Sequence, residues 1–346
     1  MPAVEISRPA QTDALMSEPL FADFALRATH DANQFMPPFV TTVSRRAKVI
    51  LLLCSVGASL PISAGLLSSA SPSLAWFFDL GAHWQWLYAS VGAACVIWLF
   101  VFGAYIWALP GALALTIGWF IASPERATAE GTTGASLTVV TANLNAENPD
   151  PSALLRWAKD VGADIIVLQE VSPRTALELQ KWGDHSHRVV VPQEGPFGLG
   201  ILSRHPLESH EIREPAGQTL HIRTHILWGD TRIALAAVHP MPPLSSAYHA
   251  QRVALFETES KWAASTGLPA IISGDFNASP WSSAMEPFTA QGLQRASGPW
   301  PTWPAVLPLI PIDQVVVSGH WRVMDAEVGP AIGSDHRPVS VQLAPG

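Results

Sequence analysis

From Trp84 to Ser123 the chain carries no charged residue. A single helix of that length would run roughly 60 Å, about twice the hydrocarbon core of a bilayer, so two membrane spans fit it better than one. The sequence offers two places for the break, near Phe102 to Tyr105 or near Leu109-Pro110-Gly111. An earlier run, residues 47–70, holds no charge after Lys48 and is about one span long, with Pro61 placed to kink it. Trp84, Trp86, Tyr105, Trp107 and Trp119 suit the aromatic belts at bilayer interfaces. The expectation is a membrane anchor over residues 45–123 built from three transmembrane helices.

Arg45, Arg46 and Lys48 flank the first span on its N-terminal side, which the positive-inside rule assigns to the cytoplasm. Three spans then place the C-terminal part outside an inner or plasma membrane, in a periplasm; one span fewer would reverse that. Residues 1–44 are polar and aperiodic and read as a mobile cytoplasmic tail, too long to begin a cleaved signal peptide. Residues 124–136, small and polar, read as a linker to a domain over residues 137–346, near the size of one large α/β unit. Both cysteines, Cys54 and Cys95, fall in the anchor. The remainder therefore has no disulfide, no thiolate nucleophile and no Cys-based zinc site.

Within residues 137–346, strand patterns recur at 137–144, 164–168, 198–202, 220–228, 232–238, 270–273, 314–317, 321–328 and 338–343. Helical spacing appears at 151–161, 173–182, 245–264 and 281–291. Gly229-Asp230 between two strand patterns predicts a hairpin. Many strands with few helices and no fixed repeat predict a four-layered α/β sandwich, two mixed sheets face to face with helices outside.

Polar residues stand at the edges of these apolar runs: Asn143 after LTVVTA, Glu170 after DIIVLQ, His239 after RIALAAV, Asp275 and Asn277 after AIISG, Asp313 before QVVV, and Asp335-His336 before RPVSV. Any one is explained as a turn or cap residue. Together they deliver carboxylates, amides and imidazoles from strand ends to one crevice, the place where α/β sheets build sites, and they point to metal-assisted chemistry.

The ordered set Asn143, LQE at Glu170, Gly198 to Pro206 with ILSRxP, His239, GDFN at Asp275 and Asn277, Asp313, and SDHRPV at Asp335 and His336 resembles the endonuclease/exonuclease/phosphatase superfamily, which includes deoxyribonuclease I. The resemblance implies a hydrolase of phosphoric esters that uses Mg²⁺ or Mn²⁺. It implies Glu170 as the principal metal ligand with Asn143 and Asp335 nearby, and Asp275 orienting or deprotonating the attacking water. Asn277 is implied to hold that water or a phosphate oxygen, with His336, steadied by Asp313, and His239 donating to the phosphate. Trp281, Trp300 and Trp303 are candidates to line a cleft, though packing is the commoner role for such residues. The pair His185 and His187 reads as an exposed loop rather than a zinc site.

From Leu137 onward, 14 Lys or Arg face 20 Asp or Glu, so no basic stripe for duplex DNA is evident. The substrate expected is a phosphodiester in a lipid head group, a small molecule or nucleic acid, with the bilayer as the other partner and no protein partner inferable. An extracytoplasmic nuclease and, in another class, a non-catalytic envelope protein retaining the fold are the alternatives.

Overall fold

Continuous apolar runs such as those ending at Asn143, Gln169, Val238 and Asp275 have both faces to bury, which a strand achieves only inside a layered structure. The computed structural model describes residues 37–122, 135–148, 150–216 and 218–346, and in it those runs are the central strands of two six-stranded mixed sheets. In the first sheet, β1 (Leu137–Asn143) and β2 (Ile165–Gln169) run parallel. They are flanked by β12 (Val339–Pro345) and β11 (Trp321–Val328) on one side, and by β4 (Leu199–Ser203) and β3 (His187–Val191) on the other. The second repeats the plan. Parallel β7 (Thr231–Val238) and β8 (Ala270–Asp275) lie between β6 (His221–Trp228) with β5 (Leu207–Arg213) and β10 (Asp313–Val317) with β9 (Gln294–Arg295).

Alternation along each central strand sorts its side chains between layers. Leu137, Val139, Ile165, Val167, Ile233, Leu235 and Ile271 interlock between the sheets. Val140, Ala142, Ile166 and Leu168 face α5 (Ser152–Asp160) and α6 (Pro173–Gln180), while Ala236, Val238 and Ile272 face α7 (Ser246–Ser265) and α8 (Glu286–Ala290). These are the four layers that the sequence predicts. The hairpin at Gly229 is present, with Trp228 opposite Thr231 and Gly229 at φ 58°. Gly274 is required for closeness, since a Cβ there would meet the Val238 carbonyl oxygen at 1.9 Å.

Strands β3, β5 and β9 are absent from the sequence reading. All three are sheet edges: β5 (LESHEIR) is exposed along most of its length, so burial imposes no alternating apolar pattern on it, and β9 is only two residues long. Residues 281–291, expected as one helix, are a 3₁₀ turn at Ser283–Met285 followed by α8.

The N-terminal region is helical: α1 (Pro38–Leu67), α2 (Pro72–Ala82), α3 (Gln85–Val101) and α4 (Tyr105–Ala122). The helix α1 is long and apolar enough to cross a bilayer alone, α2 and α3 meet at a 56° bend, and α4 is a shorter apolar helix. The break falls at Phe102–Ala104, with Gly103 at φ 72°, and α4 runs through Pro110, so the second of the two predicted break points is not used. Residues 38–44, expected in the tail, form the first turns of α1; the tail up to residue 36 and residues 124–134 of the linker lie outside the described residues. Leu53, Ile97, Val101, Ile106, Leu113 and Phe120 leave the outside of the bundle apolar.

One end of this bundle is fastened to the sandwich through a fully buried carboxylate. Asp79 on α2 accepts from Arg252 Nη2 of α7 at 3.0 Å, from Ser282 Oγ at 2.8 Å and from the Ser283 backbone N–H at 2.6 Å. His83 Nδ1 meets Ser279 Oγ at 3.0 Å, and Trp76, Trp86 and Trp281 donate across the junction to the carbonyls of Pro243, Pro299 and Trp119. Removing one partner of a buried ion pair strands the other charge away from water. Asp79→Ala in the full chain is therefore expected to cost about 3–5 kcal/mol. The checks are thermal unfolding in detergent and faster amide exchange over residues 277–285; unchanged exchange there would refute the clamp.

Candidate active site

The two parallel pairs end on the same side of the sandwich, and the antiparallel neighbours β10 and β12 begin there. Pairing of Asp313 with Asp275 and of Val339 with Thr141 fixes this register. Chain direction therefore brings Asn143, Glu170, His239, Asp275, Asn277, Asp313, Asp335 and His336, all predicted from the sequence, to one edge. Their hydrogen bonds join them.

Asp275 is the hub. Its Oδ2 accepts from Asn143 Nδ2 at 3.1 Å and lies 3.5 Å from His239 Nε2 and 3.7 Å from His336 Nε2, while Oδ1 accepts the Asn277 backbone N–H at 2.8 Å. Burial alone would raise its pKa, but the facing His336 and His239 and the Asn277 N–H hold it down at about 2. Burial likewise opposes charge on His336. Asp313, whose Oδ2 is 3.0 Å from His336 Nδ1, and Asp275 reverse this and push the imidazole up to about 10. His239 is raised too, its burial outweighed by Asp275. Asp275 is thus lowered while the two imidazoles that face it are raised.

Asp275, Asp313 and His336 bring possible ligand atoms within 4.8 Å of one another. Both His336 nitrogens face carboxylates, Nδ1 at 3.0 Å from Asp313 and Nε2 at 3.7 Å from Asp275, and these favour its protonated form.

A second group lies nearer solvent. Glu170 Oε1 accepts from Asn143 Nδ2 at 2.9 Å and Oε2 from the Ala146 N–H at 2.9 Å. Asp335 accepts from Asn145 Nδ2 at 3.0 Å and from Trp303 Nε1 at 3.2 Å. Glu170 is half-buried and Asp335 exposed, and among the described residues neither is ion-paired with Lys or Arg. Two unneutralised carboxylates linked through asparagines offer the hard oxygen donors and open side that a divalent cation uses.

Among the described residues, three non-glycine residues have positive φ, and all lie here: Asn145 at 59°, Glu170 at 57° and Asn277 at 47°. Such backbone is costly for ordinary side chains and concentrates where geometry must be imposed. Asn277 closes a turn onto the Asp275 carboxylate, donates Nδ2 to the Pro240 carbonyl at 3.0 Å, and receives Arg252 Nη1 on its own carbonyl. One amide hydrogen and Oδ1 are left for substrate or water.

Sequence reasoning missed Asn145, Arg252 and Asp79. Asn145 had a usable signal, an Asn-Leu-Asn turn directly after a strand end. Arg252 had none, because its carboxylate partner is 173 positions away. Of the three tryptophans, Trp303 reaches the site through Asp335, whereas Trp281 is buried against the helix bundle, the packing role the sequence favoured for such residues. His185 is not in an exposed loop: it is buried between the Ala163 carbonyl and Trp182 Nε1.

A sequence profile of the Endonuclease/Exonuclease/phosphatase family matches residues 140–336. The protein YbhP of Escherichia coli strain K12 is 28% identical over 226 residues, covering 54% of this chain and 85% of its own length. An endonuclease/exonuclease/phosphatase from Beutenbergia cavernae DSM 12333 shares the fold at a TM-score of 0.52 and 18% identity, over 62% of this chain and 72% of that one. A Danio rerio TDP2 humanized by 14 mutations does so at 0.52 and 14%, over 61% and 100%. With the profile spanning more than half of the chain and the sandwich and strand-end site in place, the chain belongs to the endonuclease/exonuclease/phosphatase family, whose members hydrolyse phosphoester bonds.

Proposed function

We propose that this chain is a membrane-anchored phosphodiesterase that depends on a divalent metal, Mg²⁺ or Mn²⁺, and hydrolyses its substrate by in-line attack of water. The observation that carries this reading is the division of the site into an open pair, Glu170 and Asp335, and a buried group, Asp275, His239, His336 and Asp313. Glu170, with Asn143 and Asp335 alongside, would hold the cation, which when bound supplies positive charge to a phosphate oxygen and the leaving group.

The remaining work falls to the chain's own groups. Asp275, held near pKa 2, is a weak base but a firm acceptor, and with Asn277 it orients the attacking water toward phosphorus. His336 and His239 donate to the phosphate oxygens on which charge grows, and Asp313 fixes the His336 ring so that Nε2–H points inward. Water adds to phosphorus and the ester P–O bond breaks. One water proton is lost and the departing oxygen gains one.

Glu170→Gln and His336→Ala in the detergent-solubilised full chain are each expected to lower Mg²⁺-dependent hydrolysis of bis(p-nitrophenyl) phosphate by about 10²-fold or more, with unfolding temperatures near wild type. Folded variants that retain wild-type turnover would sink the assignment.

The anchor reading rests on helix geometry. Lys48 lies against Trp107, and Trp98 donates to Ser44, at one end of the bundle. Trp76, Asp79, Trp86 and Trp119 meet the catalytic domain at the other. Along α1, Lys48 to Leu67 spans about 28 Å, close to one hydrocarbon thickness. Among the described residues α1 alone is long and apolar enough to span, and α3 and α4 are shorter apolar helices beside it. We count all three as traverses, with α2 at the interface, which by the positive-inside rule would set the catalytic domain opposite Arg45, Arg46 and Lys48, in a periplasm. A periplasm-dependent reporter fused after Gly346 should be active; activity only from a cytoplasm-dependent reporter would reverse the topology.

A further inference from the structure

Six large apolar side chains of the described catalytic domain are exposed, and four of them, Leu244, Trp300, Val306 and Leu307, sit on two loops. Val306 is 96% exposed and Leu244 76%. Both loops border the active site. The first follows His239, and its Pro240 carbonyl accepts from Asn277; the second contains Trp303, whose Nε1 donates to Asp335, and its tip is closed by pairing of Trp303 with Ile310.

The same loops touch the helix bundle. Trp76 Nε1 on α2 donates to the Pro243 carbonyl at 2.9 Å, beside Leu244. Trp86 Nε1 at the start of α3 donates to Pro299, and its ring packs on Trp300 with centroids 5.4 Å apart. The contacts fall at the bundle end that carries Trp76, Trp86 and Trp119, the end assigned above to the bilayer interface, where indole rings with polar N–H groups settle. The apolar tips thus continue a membrane-facing surface instead of forming an isolated patch. The Asp79–Arg252 clamp fixes their position relative to the helices.

We propose that Leu244, Val306 and Leu307 dip into the outer face of the bilayer and that the site takes a phosphoester in the head group of a lipid in that leaflet. This rests on the phosphodiesterase reading above and narrows its substrate class. Water adds to the head-group phosphorus, one P–O ester bond breaks, and the departing alcohol oxygen takes up the proton that water gives up. The bilayer serves as the second wall of the cleft, so a lipid need not leave it.

The test uses the full chain reconstituted in vesicles of phosphatidylethanolamine and phosphatidylglycerol, with two readouts. An environment-sensitive nitrobenzoxadiazole label on Val306→Cys, with Cys54 and Cys95 buried in the bundle, should show blue-shifted emission quenched by brominated lipid. In parallel, wild-type protein should convert vesicle phosphodiester to phosphomonoester, read as phosphoalcohol set free or as phosphatidic acid kept in the bilayer. Leu244→Asp/Val306→Asp should cut that conversion by about tenfold or more and leave bis(p-nitrophenyl) phosphate turnover unchanged. A water-like label spectrum, or lipid turnover indifferent to the two substitutions, overturns the rim. Hydrolysis of the soluble diester with intact vesicle lipid overturns the lipid substrate alone. An inserted label with neither substrate hydrolysed overturns the phosphodiesterase reading and its lipid substrate, and leaves the rim standing.

Discussion

The hydrogen bond from Asn143 Nδ2 to Asp275 Oδ2, 3.1 Å long, joins the two sheets at the edge where both parallel pairs end. Everything chemical in the molecule is arranged around that bond. The same Asn143 amide nitrogen reaches Glu170, and the same Asp275 oxygen faces both histidines, so the open carboxylates and the buried carboxylate–imidazole cluster share a two-residue link. Neither sheet could make this site alone. The interlocked layer of Val139, Val167, Leu235 and Ile271 sets the sheets face to face and so sets the distance across it.

Charge compensation explains why so many ionisable groups tolerate burial here. Asp275, Asp313, His239 and His336 are all nearly inaccessible, and each would be neutral if isolated, because burial disfavours charge. The facing carboxylates and imidazoles restore it for Asp275, His239 and His336, while Asp313 stays raised because burial outweighs the pull of His336. The same logic recurs away from the site, where Arg223 of β6 grips Glu259 of α7 through two hydrogen bonds of 2.9 and 2.8 Å and so ties a helix to its sheet. It recurs at the junction, where Arg252 is shared between Asp79 on the bundle and the Asn277 carbonyl in the active-site loop. Through Arg252 the N-terminal helices support the loop that bears Asp275 and Asn277, so the sandwich is not independent of the part that precedes it.

The central strands were legible because burial on both faces writes uninterrupted apolar runs, and the site residues because those runs end on polar groups. The exposed edge strand β5 left no trace, since solvent along most of its length permits a polar sequence, whereas the edge strand β11 was legible because Trp321 and Val323 on it are buried. The turn at Gly103 could not be told in advance from Pro110, as a proline in an apolar helix bends it without always ending it. Asp79 was invisible for a different reason: one acid amid PSLAWFFDLGA looks like a stray polar residue until its partners, some 170 to 200 positions away, are in place.

The central claim is the division of labour within the site, with the cation on the open carboxylates and protons in the buried cluster. Binding of Mn²⁺ to the full chain, followed by electron paramagnetic resonance, tests it without reference to any substrate. Glu170→Gln/Asp335→Asn should abolish stoichiometric binding while Asp313→Asn retains it. Mn²⁺ that stays bound in the first variant and is lost in the second would place the metal among Asp275, Asp313 and His336 and contradict the account.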